Sequence, residues 1–151
     1  MQISHYQNIL VPVDGSKQAE AALQRATNLA LLNDGSIDIL NVLSTSQYSY
    51  NYGGLIDGDV INSLVEDTTS YLNDLMKKVQ AAGLKQVSVH IRFGNPKTII
   101  SKEFTSDHHN DLIVMGATGM GKLQQVLEGS VTSFVNRNAI CDVMIVKKPV
   151  K

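Results

Sequence analysis

Five short apolar runs, at residues 8–13, 37–43, 87–92, 112–116 and 143–147, punctuate the chain. They are rich in Ile and Val, and most are too short for helices, so they read as strands. Four are apolar at consecutive positions, as in Ile9-Leu10-Val11 and Leu112-Ile113-Val114-Met115. Such a strand must be buried on both faces, which happens in parallel sheets covered by helices. The third run alternates instead, with Val87, Val89 and Ile91 set against Ser88, His90 and Arg92. One of its faces meets water, which places it at a sheet edge.

Between the runs the period becomes helical. Ala19, Ala22, Leu23, Ala26, Leu29 and Ala30 share one face, behind Ser16 as N-cap. Ile61, Leu64, Val65, Thr68, Leu72, Leu75, Met76 and Val79 make a longer stripe that ends near Gly83. Asn95-Pro96 is a cap followed by proline at the first helical position, and predicts a helix over 97–106. Val131, Phe134 and Val135 mark a fourth helix that stops before Cys141. Alternating β and α elements imply a parallel sheet with right-handed crossovers. Five strands are too few for an eight-stranded barrel, so the expected fold is α/β: an open, doubly wound, five-stranded parallel sheet with helices on both faces. Strand orders 3-2-1-4-5 and 2-1-3-4-5 both suit five strands, and only the first puts the half-wet third run at an edge.

Composition narrows the function classes. A length of 151 residues suits a single domain over 1–151, with roughly two-thirds of the unfolded surface buried. Lys and Arg number 13 against 14 Asp and Glu, so no bulk charge attracts nucleic acid or an anionic membrane. A lone cysteine, Cys141, excludes an intrachain disulfide and a thiolate zinc cluster, and reads as a small buried apolar residue. No apolar run has membrane-spanning length, and residues 1–6 lack the pattern of a secretory signal, so a cytoplasmic location is expected. His5 and His90 have no second ligand at metal spacing, and His108-His109, at a helix end, reads as solvated or as favourable to the helix dipole.

In open α/β sheets, ligands bind beyond the carboxyl ends of the strands, where the strand order reverses. In order 3-2-1-4-5 that point lies between strands 1 and 4. The loops leaving these strands are Val13-Asp14-Gly15-Ser16 and Gly116-Ala117-Thr118-Gly119-Met120-Gly121-Lys122. The second carries three glycines, which admit a ligand close to backbone amides. Gly129-Ser130 then opens the fourth helix, whose first amides are unpaired and attract anions. Together they form a phosphate cradle. It is not a Walker A loop, because Leu123 stands where the magnesium-binding hydroxyl belongs. The dinucleotide fingerprint fails too, at Gln124.

The spacing Gly116-x2-Gly119-x9-Gly129-Ser130 resembles the nucleotide-binding signature of the universal stress protein family, G-x2-G-x9-G-[ST]. The opening Ile9-Leu10-Val11-Pro12-Val13-Asp14-Gly15-Ser16 is similar to the family's first strand and Asp-x-Ser turn. Phe93-Gly94-Asn95-Pro96 resembles its Gly-x-Pro start to the third helix. The likeness covers almost the whole chain and implies strand order 3-2-1-4-5. It departs at Cys141, which is followed by Asp142 where the family often has Pro.

The resemblance implies that ATP lies across the switch point. Pro12, Val13 and Asp14 would then sit near adenine and ribose, and Val42 would meet the adenine edge through its backbone. Met115, Gly116, Gly119, Gly129, Ser130, Val131 and Thr132 would surround ribose and phosphates, with Lys122 as a further phosphate contact. A bridging Mg²⁺ would use Asp14 or water. Tyr48, Tyr50 and Tyr52 lie in a long connection after strand 2, which reads either as a mobile loop or as a lid over the base. The last strand, Val143-Met144-Ile145-Val146, is apolar on both faces at a sheet edge. Relatives pair this strand across a two-fold axis, which implies a homodimer. The expected role is ATP-dependent stress signalling. One alternative is slow ATP hydrolysis or self-phosphorylation on Ser130 or Thr132, and another is a nucleotide-free interaction module.

Overall fold

The computed structural model describes residues 5–44, 58–117 and 129–147. Five strands are described: β1 (Asn8–Pro12), β2 (Ser36–Leu43), β3 (Val87–Phe93), β4 (Leu112–Gly116) and β5 (Asp142–Val146). They form one parallel sheet in the order β3-β2-β1-β4-β5. The alternating third run lies at one edge, as its half-wet pattern predicts, and the last run lies at the other.

Helix α1 (Lys17–Asn33) follows β1, and α2 (Gly58–Ala81) precedes β3. Both cover the same face. There Ile9, Val11, Ile37, Ile39, Leu112 and Val114 pack against Ala22, Ala26, Leu72, Leu75 and Val79. The residues between them in sequence, Leu10, Leu40, Ile113 and Met115, point to the opposite face. This is why consecutive positions had to be apolar.

The opposite face is covered by α3 (96–108) and α4 (Ser130–Asn138). Asn95 caps α3 through its side chain, and Pro96 takes the first helical position. Inside α3, Ile99–Glu103 form a π-turn that the sequence pattern does not announce. The Phe104 N–H bonds back to Ile99 O, one residue further than in an α-helix. The wider turn lets Ile99, Ile100 and Phe104 all reach the sheet. It also leaves the Ser101 carbonyl to accept from the Ile140 N–H, which anchors the approach to β5. Among the described residues no helix is long and apolar enough to cross a membrane.

Candidate functional site

Strands β1 and β4 are neighbours, with Ile9 opposite Leu112 and Leu10 opposite Ile113. β1 runs into α1 on one face, and the segment after β4 arrives at α4 on the other. The two helices thus lie on opposite faces of the sheet beyond neighbouring strands, the arrangement that marks the ligand position in open α/β sheets.

The β1 exit satisfies its own backbone. Pro12 and Val13 are buried, and the Val13 N–H bonds to Leu40 O at 2.8 Å. Asp14 and Gly15 are exposed. Asp14 Oδ1 accepts from the Ser16 N–H at 3.0 Å, an Asx-turn. Gly15 has φ +88°, and its N–H donates to the Tyr71 hydroxyl at 3.1 Å. Ser16 Oγ then caps α1 by accepting from the Ala19 N–H. The start of α1 is therefore closed by the protein's own groups.

The β4 exit is built differently. Met115 and Gly116 are buried. A Cβ on Gly116 would lie 2.7 Å from Gln18 Cβ and 2.9 Å from the Gln18 carbonyl carbon. The glycine is thus demanded by the close approach of α1, a packing reason that sequence spacing does not reveal. Thr132 Oγ1 donates to Gly116 O at 2.9 Å, and the Gly129 N–H bonds to Ala117 O at 2.9 Å. These two bonds seat the start of α4 against the end of β4. Gly129 is the N-cap of α4 and supplies no side-chain acceptor. The first intrahelical bond runs from the Ser133 N–H to Gly129 O. The amides of Ser130, Val131 and Thr132 precede it and carry the positive end of the helix dipole.

The structure brings Pro12, Val13, Asp14, Met115, Gly116, Gly129, Ser130, Val131 and Thr132 to this one end of the sheet. Val42 lies two residues past Leu40 on β2, half-buried, and packs with Val131 on the second core cluster. Gly119, Lys122, Tyr48, Tyr50 and Tyr52 lie outside the described residues. Ser130 is exposed, whereas the Thr132 hydroxyl is buried and already committed to Gly116. No three His, Cys, Asp or Glu side chains among the described residues are grouped to hold a metal.

Sequence reasoning missed two features. Tyr71 lies on the amphipathic helix α2, and nothing in its local pattern marks it as a partner of Gly15. The second is a polar cluster toward the amino ends of the strands. His90 Nε2 and Asp38 Oδ1 are 2.9 Å apart, and Asn110 Nδ2 donates to Asp38 Oδ2 at 3.1 Å. Burial pushes the Asp38 carboxyl up, but the hydrogen bonds of His90 and Asn110 and the neighbouring histidines pull it below its ordinary value. His108 is not a solvated end residue. It is half-buried and stacks on Phe104 with ring centroids 3.8 Å apart, while His109 turns the chain in the left-handed region.

Comparison with known proteins agrees with this architecture. The model of the universal stress protein family matches residues 5–147. A Staphylococcus aureus (strain USA300) protein, provisionally named a universal stress protein, is 35% identical over 142 residues, covering 94% of this chain and 84% of that one. The solved structure of universal stress protein UspA from Lactobacillus plantarum is 30% identical with TM-score 0.77, covering 95% of this chain and 99% of the other. That of hypothetical protein MJ0577 is 28% identical with TM-score 0.82, covering 98% and 100%.

Proposed function

The chain belongs to the universal stress protein family, and on that premise we propose that it is a single-domain, cytoplasmic, ATP-binding member whose nucleotide occupancy tunes its interactions. The observation that carries this reading is the contrast between the two helix starts at the strand switch. Helix α1 is capped by Ser16, whereas α4 begins at a glycine with no side-chain cap, seated against buried Gly116. Phosphates fit such an uncapped start, since backbone amides and the helix dipole both favour an anion. The sequence pattern adds Gly119 and Lys122 on the same loop.

In this reading Pro12, Val13 and Asp14 line the adenine and ribose side, with Val42 at the base edge. The Val13 N–H is already used by Leu40 and its side chain is buried in the first core cluster, so Val13 offers its carbonyl. Met115 and Gly116 floor the site, and Gly129, Ser130, Val131 and Thr132 hold phosphates. Asp14 keeps one carboxylate oxygen beyond the Ser16 bond, which fits a Mg²⁺ shared with phosphate oxygens. Self-phosphorylation, if it occurs, falls on exposed Ser130, because Thr132 is buried and engaged. The outer edge of β5, from Val143 to Val146, has no strand beside it among the described residues and suits a two-fold pairing with a second copy.

The test is mass spectrometry of nucleotide carried through purification, together with calorimetric titration by ATP in the presence of Mg²⁺. Co-purified or titratable ATP supports the reading. A protein that carries none and shows no heat of binding refutes it.

A further inference from the structure

We infer that Tyr71 is a positioning residue of the β1 exit, fixing the 14–16 turn in its ligand-receiving form and tying that turn to α2. The inference rests on the nucleotide reading of the site. Among the described residues, an added Cβ at Gly15 would meet nothing within 4 Å. Gly15 sits at φ +88°, a conformation that must be held by bonds rather than by side-chain fit. One bond, Ser16 N–H to Asp14 Oδ1, lies wholly within the turn. The bond from the Gly15 N–H to the Tyr71 hydroxyl instead reaches a separate helix, 56 residues away in sequence.

Tyr71 is suited to this task. Its ring packs on the first core cluster beside Leu72 and Leu75, so the hydroxyl is presented from a fixed base. Burial, with the charges of Glu20 and Asp14, pushes its phenol up to about 12, so it stays protonated at any working pH. Its oxygen accepts from Gly15, and among the described residues its own proton has no recorded acceptor. Asp14, one residue before Gly15, is thereby oriented through the turn rather than by direct contact with Tyr71. Helix α2 also follows directly on the connection from β2, so the same hydroxyl links the site to that helix.

Tyr71→Phe tests this, since it keeps the ring and removes only the hydroxyl. Two quantities are read: MgATP affinity by calorimetry, and exchange of the Gly15 amide by NMR. The expected result is a loss of affinity of about 3- to 10-fold, the size of one net hydrogen bond. Gly15 exchange should rise by a similar factor or more, with Leu10 and Ile113 amides unchanged. If wild type binds no MgATP, the nucleotide reading falls and takes this role with it. If wild type binds and the variant binds equally well, the role of Tyr71 alone is overturned. Weaker binding with unchanged Gly15 exchange also overturns it, because the effect then bypasses the turn. A Gly15 amide that exchanges at the open-chain rate in wild type overturns it without any variant.

Discussion

Thr132 Oγ1 donates to the carbonyl oxygen of Gly116 across 2.9 Å, joining the first turn of α4 to the last residue of β4. The neighbouring Ala117 N–H bonds to Val146 O, so the same strand end also holds the end of β5. The candidate anion site and the sheet edge therefore share one short run of backbone. Thr132→Val keeps the branched shape but leaves the Gly116 carbonyl without this donor. The expected cost is about 1–2 kcal/mol. For a chain of this length that lowers the melting midpoint by about 3–6 °C. MgATP should bind more weakly to this variant, and Thr132→Ser should restore both quantities. Calorimetric melting and titration of the three proteins check this.

Gly116→Ala probes the approach of α1. The new methyl would sit inside the contact distance of Gln18 Cβ and of the Gln18 backbone, which cannot swing aside like a side-chain tip. Overpacking of this kind costs about 1–3 kcal/mol. The loss should appear in urea melts without any nucleotide. A binding defect in this variant therefore has to be judged against its stability, and a larger residue at this position is a poor choice for testing the ligand alone.

Asp38 gives the fold a defined acid limb. Burial is the largest single influence and pushes its carboxyl up, but the hydrogen bonds of His90 and Asn110 together with the charges of His90 and His108 bring it below its ordinary value of 3.8. A carboxyl depressed in the folded state stabilises the protein above its ordinary pKa and loses that contribution as pH falls through the folded value. Asp38→Asn should lower stability at neutral pH by about 1–3 kcal/mol and flatten the stability profile below pH 4. Urea melts from pH 2.5 to 7 measure both effects.

Cys141 should be inert. Burial first, then the charges of Asp142 and Asp111, push its thiol up to about 11 from an ordinary 9.0. At pH 7.5 the thiolate fraction falls by about 100-fold, and alkylation slows with it. Iodoacetamide labelling of the native protein should be slow and should reach the free-thiol rate in denaturant.

Most of the architecture was legible because burial writes itself into local pattern. Ile9-Leu10-Val11 announces a strand covered on both sides, and Ser88, His90 and Arg92 announce an edge. Ser16 and Asn95 mark helix starts because a cap is a local bond, spanning three and two residues here. What escaped depends on partners far apart in sequence. His90 and Asp38 are separated by 52 residues, and Asn110 and Asp38 by 72. Neither pair has a period or spacing to betray it. The π-turn at Ile99–Glu103 is a tertiary compromise between three apolar side chains and the Ile140 amide. Gly116 is a signal with two readings, since glycine spacing cannot distinguish room for a ligand from room for Gln18.

In the proposed reading phosphates are held by the start of α4, where Gly129 supplies no side-chain cap. Titrating the protein with ATP and with adenosine, each in Mg²⁺, tests it most directly. The dissociation constant for ATP is expected in the range of about 1–100 μM and that for adenosine at least about tenfold weaker, the difference being the phosphate interactions. Equal affinities for the two, or no ATP binding at millimolar concentration, would contradict it.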